Sequence, residues 1–424
     1  MSARLKFVTS ARERLPKLAD GLAVALAISL PWSTSATSIV AALLLLALIP
    51  TIDIRALKKV ILTPAGGAPL ILVALGAAGM FWGGIPWADH VNGIRSFLKL
   101  LFIPLLLFQF SRSEHASEVL AGFLISCGLL LICSWILLAW PAIPWPGAIR
   151  TLGVPVKDYI SQSAMFTICI FVIARLAFDL WRRKRHDLAL ALIALSLLFL
   201  ANLFYVATSR TSFFVIPILL VVFGFRVFGW KGATALILGF ILLTSVVWQS
   251  ASYLRHRVDS LFTEIQSYRP DGKATSAGER LTFWTKSIGF IQSSPIMGHG
   301  TGSIHEQFKR SAVDRTGMAA EISANPHNQI LAVGIQLGLI GIAVLLAMWL
   351  AHLALFIRSG SFAAWVGLVV VIQNVVGSLF NSHLFDFTHG WVYVVGVGVA
   401  GGVALKELAS ERQTGQSAAG PDRL

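Results

Sequence analysis

Charge is what this sequence has least of. Only 13% of its 424 residues are Asp, Glu, Lys or Arg, against about 25% in soluble domains, and 56% are hydrophobic. With a mean hydropathy of +0.75, that composition excludes an ordinary soluble domain and implies an all-α polytopic membrane protein. Acidic residues are scarcer than basic ones, 20 against 34, which leaves a formal charge of +14. Such a balance would suit a nucleic-acid partner, but placement argues against one. The basic residues cluster in short loops between apolar runs, the positive-inside pattern of membrane proteins. Cysteine is rare too: Cys127, Cys133 and Cys169 lie in apolar runs without C-x-x-C spacing. They read as small core residues with no redox or metal role. No D-x-D or H-x-x-x-H occurs in an outer loop, so the sequence calls for no metal or other cofactor. No inverted repeat of the transporter kind is visible.

What is abundant is the apolar run. At ~20 residues per crossing, about twelve transmembrane helices fall near 17–33, 36–51, 64–83, 93–111, 116–140, 159–181, 187–208, 211–229, 232–252, 327–357, 361–381 and 390–405. Arg4, Lys6, Arg12, Arg14 and Lys17 read as the basic flank of a retained first helix rather than as a signal peptide. Arg55, Lys58, Lys59, Arg112, the run Arg182-Arg183-Lys184-Arg185, Arg226, Lys231 and Arg358 then fall in inner loops, with Lys406 and Arg412 in the tail. Shifting the count by one helix would put the 182–185 run outside. The expectation is a single integral domain over 1–424 in a bacterial inner membrane, with both termini cytoplasmic. The polar tail 411–424 is expected to be disordered.

The one long polar stretch, 253–326, lies between the ninth and tenth helices and is expected to form a periplasmic subdomain. Leu254, Val258, Leu261, Phe262 and Ile265 fall at helical spacing, as do Leu281, Trp284, Ile288 and Ile291. Both sets read as amphipathic helices at the membrane surface. Basic residues outnumber acidic ones here, against the usual outer-side depletion, which suggests that some arginines are held for a ligand. The turn Gly298-His299-Gly300-Thr301-Gly302-Ser303 offers a backbone that a ligand can approach closely.

The stretch ends in Asn325-Pro326-His327-Asn328-Gln329. Asn325 is a good N-cap and Pro326 a good first helical residue, which would put His327 in the first turn beside free backbone N–H groups. That is a ready-made anion site, and the helix N-terminus favours a neutral imidazole, the form a general base needs. Asn328 would orient the histidine, bind a sugar or only cap the helix. Arg210, in the outer turn Ser209–Ser212, and Arg280, opening an amphipathic helix, reach the same level if the long segment folds back. A guanidinium fork suits a diphosphate; the alternatives are snorkelling and salt bridges. Asp386, between the last two helices, is a candidate to orient a basic group. Arg95 and Lys99, one turn apart, either snorkel to headgroups or bind an anionic lipid substrate. Trp284 and Phe283 suit sugar stacking or an aromatic belt, and Gln373 and Asn374 suit interhelical hydrogen bonds.

Three blocks carry a family resemblance: Ser209-Arg210-Thr211-Ser212-Phe213-Phe214; Arg280 with Phe283-Trp284 and then Pro295-x-x-Gly298-x-Gly300-x-Gly302; and His327-Asn328-x-x-Leu331 with Gly334, Gly338 and Gly341. In order and topology these resemble the O-antigen ligase and polymerase superfamily. The resemblance implies a GT-C-like, metal-independent, inverting glycosyltransferase. Its donor would be a glycan on undecaprenyl pyrophosphate, taken at the periplasmic face among membrane lipids. A ligase would pass the glycan to a sugar hydroxyl of lipid A-core, completing lipopolysaccharide. Arg210 and Arg280 would bind the pyrophosphate and His327 would activate the acceptor; Asp386 is carried over by position alone. An O-antigen polymerase or a protein O-oligosaccharyltransferase would share the donor and differ in acceptor. A polyprenyl-glycan flippase would favour charged residues at the membrane midplane, whereas polar groups here gather at the outer face.

Overall fold

In lipid, an apolar run must satisfy its own backbone donors and acceptors, and a helix does so within itself. The structure, a computed structural model, describes residues 2–145, 151–250, 252–269, 272 and 274–418. The side chains of Arg4, Lys6, Arg12, Leu254, Leu261 and Arg412 lie outside the described residues. Among the described residues the chain forms α-helices and no strand. In order these are α1 (Ser2–Ser29), α2 (Thr34–Leu48), α3 (Ile54–Ile61), α4 (Pro64–Ala78), α5 (Trp87–Leu98), α6 (Phe102–Phe110), α7 (Ala116–Ala139) and α8 (Tyr159–Arg182). There follow α9 (His186–Tyr205), α10 (Arg210–Ser250), α11 (Ser252–Gln266), α12 (Ser276–Ser293), α13 (Ile304–Ser311), α14 (Gln329–Ile357), α15 (Phe362–Gly377) and α16 (Phe387–Ala418).

Among the described residues, nine helical segments are long and apolar enough to cross a membrane, and every expected crossing falls on helical chain. The difference in number has three sources. The 41 residues of α10 would extend ~60 Å if straight, twice the hydrocarbon thickness. The helix is instead broken at Gly229, with φ 72 and ψ −168, between the two crossings expected there. The 16 residues of α15 are apolar but short. The third is α1, which begins at Ser2 rather than near 17 and mixes polar with apolar residues. At the other end, α16 runs to Ala418, so 411–418 continue a helix where disorder was expected. Extending a formed helix needs no new nucleus; 419–424 lie outside the described residues.

The bundle closes through α1 against α2 and α7, α8 against α9 and α15, α6 against α16, and α4 against α14. One apolar core runs through these contacts. Arg55, Lys58, Lys59, Arg182–Arg185 and Arg358 are exposed together at one end. There Arg226 Nη2 donates to the carbonyls of Phe356 and Ile357, closing the C-terminus of α14. The opposite end carries the polar segments.

The glycine-rich turn serves the fold. His299 N and Gly300 N donate to the carbonyls of Ile335 and Gln336, and Leu339 N donates to that of Pro295. The turn thus docks where α14 is broken at Gly338, φ 60. A Cβ on Gly300 would lie 2.1 Å from the Trp82 carbonyl oxygen, so the close approach predicted for a ligand is made by the chain itself. A second apolar cluster, Phe283, Phe308, Ala332 and Ile335 among its members, seats α12 and α13 on α14.

Candidate active site

Two asparagines three residues apart competed for the start of α14, and Asn328 won. Its side chain accepts from Ile330 N and Leu331 N at 2.9 and 3.2 Å, and Gln329 N donates to the Ser378 carbonyl. The first N–H groups are therefore occupied, and the free anion site expected at this terminus is absent. His327 is outside the helix, with φ 53, a left-handed conformation that is uncommon for a residue with a side chain. Asn325, expected as the cap, instead accepts the His327 N–H through Oδ1 at 2.9 Å. That asparagine turn around Pro326 holds the histidine in place.

The same N–H orders a chain of amides. Because Asn325 Oδ1 accepts from it, and also from Ser382 Oγ at 2.7 Å, Asn325 Nδ2 faces Asn381 and donates to its Oδ1 at 2.9 Å. Asn381 Nδ2 then donates to Asp386 Oδ2 at 2.9 Å. The His327 Nδ1 atom lies 3.0 Å from Asn381 Oδ1, an acceptor, so Nδ1 carries the proton and Nε2 the lone pair. Phe283 lies parallel to the imidazole at 6.0 Å, and Trp284 Nε1 donates to the His327 carbonyl at 3.4 Å. Burial, and further the Arg280 charge, lower the His327 pKa, against the pull of the Asn381 hydrogen bond. The lowered pKa favours the neutral ring at neutral pH.

Arg280, from α12, lies close enough for its charge to act on His327, and Arg210, from α10, lies near Arg280. Arg210 is the first residue of α10, and its Nη2 is 3.3 Å from both Glu264 Oε1 and Ser260 Oγ of α11. A pair at that distance is weakly hydrogen-bonded. Its Nε and Nη1 are buried without a partner. Arg280 has no ion-pair partner among the described residues, and burial, then the neighbouring Arg210 charge, lower its pKa. Two partly buried guanidiniums that repel each other, one with orphaned donors, form a site that an anion would stabilise. Other cations of the polar segment are spent locally: Arg255 on the carbonyls of Trp248 and Gln249, Arg310 on Glu306, Lys286 on the Ala319 carbonyl.

The remaining candidates separate. Asp386 reaches His327, but through Asn381; burial pushes its carboxyl up to about 7 against the Lys99 charge. Lys99 does not face lipid: it is buried, and its Nζ donates to the Phe385 and Asp386 carbonyls at 2.9 and 2.7 Å. Arg95 is exposed and takes no part. Asn328 caps the helix and donates to the Leu379 carbonyl, and Trp284 holds the His327 backbone. Asn374 is buried with neither side-chain atom partnered, so the hydrogen bond expected of it is not made among the described residues.

Three residues that sequence reasoning passed over now stand out. Asn381 and Ser382 were in view only as part of the stretch before Asp386, and Glu264 was one acidic residue among several in the outer segment. No spacing in the sequence links any of them to position 210 or 327. A fourth finding is the group His383, Asp386 and His389, whose ligand atoms lie within 4.8 Å of one another. Its H-x-x-D-x-x-H spacing was readable. The two imidazoles are stacked at 3.9 Å and 9°, so their lone pairs run side by side instead of converging on one ion.

The fold defines a multi-pass membrane protein in which the polar segment between α10 and α14 brings Arg280 near His327, with Arg210 near Arg280. Residues 195–346 match the family model described as O-antigen ligase. The matched residues include Arg210, Arg280 and His327, while Asp386, Arg95 and Lys99 lie beyond them. Comparison with curated proteins gives no match.

Proposed function

We propose that this protein is a ligase. It would move a glycan from undecaprenyl diphosphate onto a sugar hydroxyl of lipid A-core at the periplasmic face of the inner membrane. The observation that carries this reading is the convergence of Arg210, Arg280 and His327 from three separate segments. Breaking the bond between the anomeric carbon and the diphosphate oxygen sends an electron pair onto the phosphate. The two guanidiniums stabilise that charge where the bundle and outer segment exclude water. The acceptor oxygen attacks the anomeric carbon from the opposite side, inverting it, and its proton passes to His327 Nε2. Asn381 holds Nδ1–H so that Nε2 is free. With two cations in place as countercharge, the reaction as proposed needs no divalent ion.

The test is glycan transfer by the purified protein in detergent or nanodiscs, with polyprenyl-diphosphate glycan as donor and lipid A-core as acceptor. Arg210→Ala, Arg280→Ala and His327→Ala should insert normally and leave the acceptor uncapped. Transfer at the wild-type rate by His327→Ala would remove the base from the scheme. Chain extension of the donor glycan, or transfer to protein, in place of lipid A-core would reassign the acceptor within the superfamily.

A further inference from the structure

A cavity of about 400 Å³ opens at the outer face between α5, the turn leading into α13 and the loop before α16. That volume lies in the ~300–1,000 Å³ range of small-molecule sites. Asp89, Asn92 and Ser96 line it from one face of α5, at the spacing that stacks side chains along a helix. Asn325, Ser382 and Asp386 line it from the other side, and all three belong to the hydrogen-bonded chain that holds His327. Exposed Asn92 and His305 sit at its mouth, and half-buried Phe385 offers an apolar face. The lining holds two carboxylates and no lysine or arginine: Arg95, on the same helix, is not part of it, and Lys99 is turned onto main-chain carbonyls.

We propose that this cavity binds a sugar ring of the acceptor oligosaccharide, and that it selects a ring without phosphate. The proposal rests on the glycosyl-transfer reading and adds where the acceptor sits and what it must lack. Carboxylates and amides accept and donate to vicinal hydroxyls in pairs, and an aromatic face covers the ring's C–H surface. A phosphate would meet the Asp89 carboxylate with no lysine or arginine in the lining to offset it, a repulsive element of the kind that sets specificity. Charge is thereby divided between two places: arginines for the diphosphate donor, the Asp89 carboxylate for a neutral acceptor. That division keeps the two substrates from exchanging places.

The experiment uses the full-length protein in nanodiscs with two readouts. One is binding of the core oligosaccharide freed of lipid, without donor. The other is transfer kinetics with lipid A-core whose terminal sugar is neutral or phosphorylated. Ala324→Trp, at the exposed rim of the cavity, should weaken saccharide binding and raise the acceptor KM by about tenfold or more, because the indole takes up space that the ring would occupy. Donor KM should stay unchanged. Asp89→Asn should narrow the preference for neutral over phosphorylated acceptor, and Arg210→Ala should leave saccharide binding intact. Saccharide binding without transfer by the wild type would overturn the glycosyl-transfer reading and leave the cavity standing as a saccharide site. Acceptor KM and saccharide binding unmoved in Ala324→Trp, or a rise in donor KM instead, would overturn the cavity assignment. Equal use of both acceptors by the wild type would overturn the selection against phosphate.

Discussion

His327 Nδ1 lies 3.0 Å from Asn381 Oδ1, and the same histidine's main-chain N–H fixes, through Asn325, which atom of Asn381 faces it. The backbone of the proposed base thus selects its own tautomer. Asn381→Ala should therefore lower kcat by about 10- to 100-fold, part of the ~10²–10⁴ that a general base supplies, and leave the donor KM unchanged. Asn381→Asp keeps an acceptor opposite Nδ1 and should retain more activity than the alanine variant. Steady-state kinetics on both variants checks this; equal losses in the two would mean that Asn381 only supports the fold.

The pH profile follows from the groups around the ring. A protonated His327 cannot take the acceptor's proton, so kcat/KM falls as the pH drops through its pKa. Burial, with the Arg280 charge adding to it, lowers that pKa, which puts the acid limb below the ~6.5 of a free imidazole. Arg280→Gln removes the lowering charge, so the limb of its residual activity should move to higher pH. A limb unchanged in this variant would show that another group sets it.

Much of this site was legible before the fold was known, but in pieces. Arg210, Arg280 and His327 announced themselves by residue type and order, and hydropathy put them at one membrane face. The start of α14 was misplaced because Asn325 and Asn328 are equally good caps locally. Only tertiary hydrogen bonds, Asn325 to Asn381 and Ser382, decide between them. Glu264 could not be matched to Arg210 because the pairing depends on how α11 folds back. The glycines of 298–302 were read as a ligand cradle because close approach to a ligand and close approach to another backbone demand the same residue.

Glu264 occupies one side of Arg210 at 3.3 Å and also accepts Ala277 N at 2.8 Å. Glu264→Gln keeps an acceptor for Ala277 and removes the competing charge. Arg210 is then a partly buried cation without a counterion, which increases its demand for an anion. The donor KM should fall about two- to tenfold, on the scale of one charge-assisted contact. A higher donor KM would mean that Glu264 aims Arg210 at the donor instead of restraining it.

Lys99 and Arg95, alike in sequence, should respond differently to mutation. Lys99→Ala deletes two charge-assisted hydrogen bonds to the Phe385 and Asp386 carbonyls and opens a hole beneath the loop that carries Asp386. The expected cost is about 2–4 kcal/mol of stability, seen as a lower Tm, together with reduced activity. Arg95→Ala, at an exposed position, should change Tm little. If Arg95→Ala instead raises the KM for a lipid substrate, its role is at the membrane surface.

Chelation tests the countercharge assigned to the arginines. If Arg210 and Arg280 alone offset the diphosphate, EDTA should leave transfer unchanged within about twofold, well under the several kcal/mol that a Lewis-acid ion supplies. His383, Asp386 and His389 provide the internal comparison, since their ligand atoms lie within 4.8 Å of one another. Burial, then the neighbouring His389, holds His383 well below its usual pKa, so this imidazole would be neutral and able to ligate. The parallel stacking of the rings opposes ligation until one ring turns. Loss of activity in EDTA, restored by a divalent ion in the wild type but not in His383→Ala, would mean that the ring does turn. The metal-independent scheme would then fall, and the loop before α16 would hold an ion beside the acceptor cavity.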